Sequence, residues 1–244
     1  MIKRRLIFVF GILTYLLFLS TVLYAIGFVG NVVVPKSIDT GGPSPLFTAV
    51  LVDLSLIALF GVQHSVMARQ TFKRWLTRHV PQPIERSIYV LFSSLSLVLL
   101  FWQWRPVTHH VWIFASDPLN TVLKILSWMG WGLVVSSTFL IDHFDLFGLR
   151  QGYCGLRGID YTPVPFRQPS IYKYVRHPLM LGFLVAFWST PEMSVGHLIF
   201  AAGMTGYIFI GIAFEERDLV RAHGLAYERY RRKVSMLFPM PRRK

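Results

Sequence analysis

The stretch LIFVFGILTYLLFLSTVLYAIGFV, residues 6–29, decides the fold class. It contains no charged side chain and is longer than the roughly 20 residues with which an α-helix crosses the hydrocarbon core of a bilayer. Lys3, Arg4 and Arg5 precede it, and it lacks the small-residue cleavage site of a secretory signal. We therefore interpret it as an uncleaved first transmembrane helix that enters from the cytoplasm.

Further apolar runs follow at intervals along the chain. They cover residues 46–68, 88–104, 121–141, 178–190 and 196–214. The run at 178–190 is short and lies between Pro178 and Pro191, so a tilted or half-buried helix is an alternative to a full span. The sequence predicts an all-α fold: a polytopic membrane helix bundle of five to six transmembrane helices, forming a single domain over residues 1–244.

Composition agrees with a membrane protein and restricts its partners. The chain is 53% hydrophobic and 15% charged, with a mean hydropathy of +0.48, which is too apolar for an ordinary soluble domain. The net charge of +13 arises mostly beside the apolar runs, which favours an anionic lipid surface over nucleic acid as partner. The single Cys154 and the isolated pair His109 and His110 give no ligand set for a metal, so we expect none.

Loop charges predict the orientation, because Lys and Arg are retained on the cytoplasmic side. The two ends of the chain and the segments 69–87 and 142–177 are basic, whereas 30–45, 105–120 and 191–195 are nearly neutral. We expect an integral membrane protein with both termini on the cytoplasmic side.

Two polar stretches are unlike simple connectors. Residues 142–177 form a long, glycine-containing loop, and loops of this length in compact proteins are usually functional or disordered. Residues 215–238 predict a charged cytoplasmic helix after the last span. Side chains at steps of three and four define one face of it: Leu219, His223, Tyr227, Tyr230 and Val234.

The strongest local signal is RHPLMLG, residues 176–182, together with the acid pair Glu215 and Glu216 at the end of the next apolar run. Proline at the first helical turn loses no hydrogen bond, and Gly182 permits close approach of a backbone or ligand. Free amides at that helix N-terminus would favour an anion such as a carboxylate. Taken singly, these residues could also be an interfacial anchor and a solvated helix end.

Residues 176–239 resemble the isoprenylcysteine carboxyl methyltransferase-like membrane methyltransferases, which have an RHPxYxG segment, paired glutamates and a tyrosine-rich tail. Met180 and His223 depart from that pattern, where the family has Tyr and Phe. The resemblance implies S-adenosyl-L-methionine as cofactor, bound within about residues 142–240. It implies cofactor contacts for Arg176, His177, Pro178, Leu181, Gly182, Glu215, Glu216, Tyr227, Tyr230 and Arg231.

The rest of the chain is similar to the NnrU-like membrane proteins and their thiol-methylating branch, in segments such as 63–69, 85–87 and 142–148. This likeness implies methyl transfer to a small volatile thiol, methanethiol, giving dimethyl sulfide and S-adenosylhomocysteine. Two alternatives stay open: a methyltransferase for a prenylcysteine carboxylate or a lipid amine, and a non-catalytic membrane accessory protein of the NnrU type.

A thiol acceptor must lose its proton, which at neutral pH costs at least about 2 kcal/mol for an alkanethiol. Candidates for this acceptor side are ionisable residues at predicted cytoplasmic helix ends: His64, Asp142, His143 and Asp145. The alternative for His64 is a hydrogen-bonded histidine packed between helices. For Asp142 and Asp145, a helix C-terminus is an unfavourable place for an acid, which favours a function.

Overall fold

The computed structural model describes residues 1–42 and 44–239, and almost all of its regular structure is helical, which confirms the predicted all-α class. The helices are α1 Ile2–Gly30, α2 Leu46–Ala68, α3 Gln70–Leu76, α4 Gln82–Gln103, α5 Leu119–Ile141, α6 His143–Leu146, α7 Leu149–Arg157, α8 Pro178–Trp188, α9 Val195–His223 and α10 Leu225–Lys233. A 3₁₀ turn, Ser170–Lys173, precedes α8, and two short strands, β1 His110–Ile113 and β2 Glu192–Ser194, pair with each other. Residue 240, the predicted end of the cofactor region, lies outside the described residues.

Five helices of the described chain are long and apolar enough to cross a bilayer: α1, α2, α4, α5 and α9. The chain is therefore an integral membrane protein. The predicted segment at 178–190 forms α8, which has only 11 residues. At 1.5 Å per residue that is about 16 Å, roughly half the hydrocarbon core. The shorter alternative for this segment is thus the observed one.

Both polar stretches are organised differently from the prediction. Residues 142–177 are not one irregular loop, since they contain α6, α7 and the 3₁₀ turn. A single helix over 215–238 is wrong, because α9 continues through both glutamates to His223 and a separate α10 follows. Gly224 separates the two helices with a φ of 52°, a backbone conformation that glycine adopts at little cost.

The chain forms two compact units. The first consists of Met1–His109, Asp142–Val164 and Ser194–Phe200. In it α4 packs against α1 and α2, and α7 packs against α1 and α4. Near the beginning of α4, Tyr89 and Val90 pack with Met67 of α2, and Phe147 joins this core from the segment after α6.

The second unit consists of His110–Ile141, Pro165–Met193 and the chain from Ala201 onward. Here α5 packs closely on α8 through two glycines. A Cβ atom on Gly130 would lie 2.7 Å from the carbonyl oxygen of Gly182, and one on Gly182 would lie 2.8 Å from the carbonyl oxygen of Gly130. Gly182 therefore serves the approach of a helix backbone.

Candidate functional site

The candidate site lies in the second unit, where the N-terminal end of α8 meets α9. Arg176 Nε donates to Glu216 Oε1 over 2.7 Å, and both side chains are largely buried. The proline at the first position of α8 leaves the two preceding residues outside the helix, so their side chains can turn toward α9. The structure thus brings together the two pairs of residues that the sequence singled out.

His177 lies between the two acids. Its Nε2 is 3.1 Å from Glu216 Oε1 and its Nδ1 is 3.5 Å from Glu215 Oε2. Burial alone would lower the pKa of His177, but the hydrogen bonds and charges of both glutamates outweigh it and raise the pKa to about 9. The ring is therefore an imidazolium at neutral pH, with both nitrogens as donors.

The segment after α10 returns to the start of α8 and accepts hydrogen bonds from Arg176 and His177. Arg176 Nη1 donates to the carbonyl oxygens of Arg231, at 3.0 Å, and Val234, at 2.5 Å. The backbone amides of Arg176 and His177 donate to the carbonyl oxygens of Ser235 and Met236. The returning chain thus occupies the amides of these two residues, and the prediction that free amides in the first turn of α8 favour an anion stays a prediction.

A tyrosine face closes the site on the side of α10. Tyr227, Tyr230 and Val234 form a buried cluster, against which Leu219 and Val220 of α9 pack. Tyr230 donates its hydroxyl proton to the carbonyl oxygen of Tyr172 over 2.6 Å. The predicted face is thus a real packing surface, although it is divided between two helices.

Sequence reasoning missed Phe166 in this face. Its ring centroid lies 5.7 Å from that of Tyr227, 5.5 Å from that of Tyr230 and 5.1 Å from that of His223. A signal was present, because Phe166 is the one aromatic side chain in the short stretch between Pro165 and Pro169. Nothing in the sequence indicated which helix that ring would contact.

The hydroxyl of Tyr227 is buried and has no hydrogen-bond partner within residues 1–42 and 44–239. Burial, together with the charge of Glu216, raises the pKa of this phenol well above its usual range, so the group stays an O–H donor. An unsatisfied buried hydroxyl costs about 1–3 kcal/mol. A ligand with an acceptor atom at this position would remove that cost.

The other predicted cofactor residues surround this cluster less directly. Arg231 Nη1 is 4.0 Å from Glu216 Oε2 and is half exposed. Pro178 begins α8, and the amide of Leu181 donates to the carbonyl oxygen of His177. Gly182 faces α5, as described above. Their contacts with a cofactor stay predictions.

The acceptor-side candidates lie in the first unit. His64, on α2, has Nδ1 3.0 Å from Ser93 Oγ and Nε2 2.5 Å from the hydroxyl of Tyr89. Both hydroxyls belong to α4, so His64 joins two helices, as in the packing alternative. Its part in the chemistry stays a prediction.

Asp142 and Asp145 accept hydrogen bonds within the segment that follows α5. Asp142 is the N-cap of α6 and accepts from the amide of Asp145 over 3.1 Å, so it also occupies a position where an acid is favourable. Asp145 accepts from Arg150 at 3.2 Å and from the hydroxyl of Tyr161 at 3.2 Å. Asp142 thus lies directly after the end of α5, as expected, and also at the N-terminus of α6; its part in the chemistry stays a prediction.

His143 has a mostly aromatic environment. Its Nε2 lies 2.8 Å from the hydroxyl of Tyr15, and its ring centroid is 5.4 Å from that of Phe144 and 4.9 Å from that of Phe147. Burial lowers the pKa of His143 below its usual value, although the charge of Asp142 acts in the opposite direction. The ring is therefore neutral at neutral pH.

These features define an integral membrane protein with a buried Arg–His–Glu cluster closed by a tyrosine face. The family model described as NnrU protein matches residues 53–236, and the chain belongs to this family.

Individual relatives are similar over most of the chain. It is 54% identical to methanethiol S-methyltransferase of Mycobacterium tuberculosis, with 99% of each chain covered. It is 56% identical to methanethiol S-methyltransferase 1 of Bradyrhizobium diazoefficiens, over 96% of this chain and 82% of that one. Nurim of Bos taurus is a more distant relative, 30% identical over 68% of this chain and 66% of its own. A comparison with solved structures finds no significant match.

Proposed function

We propose that this protein transfers a methyl group from S-adenosyl-L-methionine to the sulfur of methanethiol, giving dimethyl sulfide and S-adenosylhomocysteine. The observation that carries the proposal is the identity of 54% and 56% to two methanethiol S-methyltransferases over nearly the whole chain. Cofactor binding by the purified protein distinguishes this proposal from a non-catalytic accessory protein.

The cluster in the second unit fits a cofactor of this kind. S-adenosyl-L-methionine carries an amino group, a carboxylate and ribose hydroxyls, and it supplies a methyl group activated by a sulfonium. The phenol of Tyr227 offers a donor without a partner in the described chain, and the half-exposed Glu215 offers a carboxylate. We propose that the ten residues named from the resemblance line or support this pocket, from Arg176 to Arg231.

The reaction also requires a thiolate. The sulfur of methanethiol forms a bond to the methyl carbon while the bond from that carbon to the sulfonium breaks, and the thiol proton leaves to a base. Among the candidates predicted from the sequence, His143 has a pKa lowered by burial, so its ring is neutral and can accept a proton at neutral pH. We propose His143 as the first acceptor to test, with His64, Asp142 and Asp145 as the others.

We further propose that the site opens to the cytoplasm of a bacterial cell. The basic segment 142–177, which leads directly into the site at the start of α8, supports this orientation, since positive residues are retained inside. The donor cofactor is a cytoplasmic metabolite, and a polar, charged binding site on that side needs no transport step.

The test is a headspace assay. Membranes containing the full chain are incubated with S-adenosyl-L-methionine and methanethiol, and dimethyl sulfide is measured by gas chromatography. The same membranes receive a prenylcysteine analogue and a lipid amine as competing acceptors. We expect dimethyl sulfide from methanethiol and no methylation of the other two. Cofactor binding without dimethyl sulfide would contradict the proposed substrate, and absence of cofactor binding would contradict the enzyme itself.

A further inference from the structure

The two neighbouring acids of α9 differ in what they contact. Glu216 is largely buried and faces Arg176 at 2.7 Å, His177 at 3.1 Å and Arg231 at 4.0 Å. Glu215 is half exposed, and its nearest cation is the ring of His177 at 3.5 Å. Oε1 of Glu216 therefore already accepts from two cations of the protein, whereas Glu215 is half exposed and makes one longer contact, to His177.

A similar difference separates the two tyrosines of α10. Tyr230 donates to the carbonyl oxygen of Tyr172, so its hydroxyl is satisfied inside the fold. The Tyr227 hydroxyl is buried and finds no acceptor in the described parts of the chain. The ring of Tyr227 lies 5.7 Å from that of Tyr230, and the charges of Glu216, Arg176 and Glu215 all affect the pKa of its phenol.

Arg176 has a third kind of role. Its guanidinium joins Glu216 of α9 to the carbonyl oxygens of Arg231 and Val234, at the end of α10. These contacts tie the last turn of α10 to α9. They also point the guanidinium into the protein, where it donates to protein oxygens. A ligand would have to displace those oxygens to bind the guanidinium.

We infer that the site contains two kinds of residue. Glu215 and Tyr227 contact the cofactor, whereas Arg176 and Glu216 are positioning residues that hold α10 and His177 in place. This inference rests on the proposed function. Glu215 would accept hydrogen bonds from the amino group or a ribose hydroxyl, and Tyr227 would donate to an acceptor of the same molecule. The chain thereby supplies a half-exposed carboxylate as acceptor and a buried hydroxyl without a partner in the described residues as donor.

Two matched pairs of variants test this division in the purified full chain. S-adenosylhomocysteine binding is measured by calorimetry, and the unfolding midpoint is measured without ligand. Glu215→Gln should weaken binding by about 10- to 100-fold, as expected for a hydrogen bond to a charged group, with little change in the midpoint. Glu216→Gln, its neighbour, should lower the midpoint as well, because Arg176 and His177 lose their shared partner.

The two tyrosine variants should differ in the direction in which they change the ligand-free unfolding midpoint. Tyr227→Phe should weaken binding by about 3- to 10-fold while the ligand-free midpoint stays level or rises, since an unsatisfied hydroxyl is removed. Tyr230→Phe removes a hydrogen bond that is made within the fold, so it should lower the midpoint by about 2–4 °C.

A pH profile separates positioning from general stability. The charged groups facing His177 are Glu215 and Glu216; Arg176 binds the same oxygen of Glu216, and Arg231 lies beyond it. In the wild type, affinity should fall as pH rises through about 9, where the imidazolium is lost. Glu216→Gln should move this fall to lower pH, and Glu216→Asp should restore part of the shift.

Unchanged affinity in both Glu215→Gln and Tyr227→Phe would overturn the inference. So would a Glu216→Gln variant that loses affinity with an unchanged midpoint and an unchanged pH profile, since Glu216 would then be the ligand contact. A wild-type protein that binds neither S-adenosylhomocysteine nor S-adenosyl-L-methionine would instead contradict the proposed function, and it would also remove the cofactor half of the inference.

Discussion

His177 and His143 are histidines at the ends of apolar helices, yet they have opposite charge states. His177 lies beside two carboxylates, which raise its pKa to about 9. His143 lies beside a tyrosine hydroxyl and the rings of Phe144 and Phe147, and burial lowers its pKa. Both are partly or fully removed from water, so burial alone does not distinguish them. The chemistry of the partner decides whether the ring is a fixed cation or a group that can accept a proton.

The largest effect should follow from removing the carboxylate that His177 and Arg176 share. Glu216→Ala leaves two buried cations without this partner, and breaking a buried ion pair in this way costs about 3–5 kcal/mol. Denaturant unfolding in mild detergent measures this cost. Glu215→Ala, one residue earlier and half exposed, is the matched control and should lose much less. Equal losses of unfolding free energy in the two variants would mean that the buried position of Glu216 adds nothing to its contribution.

The next effect concerns the pH dependence of stability. Because the folded-state pKa of His177 is raised from 6.5 to about 9, its contribution is fully present below about pH 6.5 and is lost as pH rises through about 9. A shift of this size corresponds to about 3 kcal/mol, at about 1.36 kcal/mol per unit. Unfolding free energies between pH 6 and 10 should therefore fall in the wild type and fall less in His177→Gln. A parallel decline in both proteins would contradict the charge assigned to this ring.

A catalytic effect should distinguish His143 from His64. If His143 takes the thiol proton, His143→Ala should reduce dimethyl sulfide formation by about 10²-fold at neutral pH, the usual size for a general base. The loss should shrink at alkaline pH, where the thiol ionises by itself. His64 joins α2 to α4 through two hydroxyls, so the loss in His64→Ala should not change with pH. A constant loss for His143→Ala would assign it a packing role too.

The smallest effect should come from the hydroxyl beside His143. Tyr15→Phe keeps the aromatic contacts of the ring and removes one hydrogen bond at 2.8 Å, which is worth about 1 kcal/mol.

In the wild type the lowered pKa of His143 means that stability is lost as pH falls below about 6.5, because the unfolded chain then binds the proton more readily. His143→Gln should reduce this acid loss of stability. A variant that loses stability at acid pH as steeply as the wild type would show that another group is responsible.

Much of the architecture could be predicted from the sequence because hydrophobic length is a local property. The five long apolar helices coincide with five predicted runs, although α4 begins at Gln82 and α9 continues to His223, farther than hydropathy indicated. Charged residues can extend a helix beyond the apolar core without altering its periodicity. Helix ends were therefore less predictable than helix positions.

The sequence by itself determined that this is a membrane protein and that Arg176, His177 and the paired glutamates belong together, since spacing along apolar helices places them near the same helix ends. Only the tertiary structure decided how those residues are used. The amides of Arg176 and His177 donate to two carbonyl oxygens of the chain that returns after α10. Gly182 faces a helix because α5 crosses it, and Glu216 is largely buried against Arg176 and His177 while Glu215 is half exposed. Each of these outcomes depends on contacts between segments far apart in sequence. No local sequence pattern specifies which distant segment forms the hydrogen bonds of a given polar group.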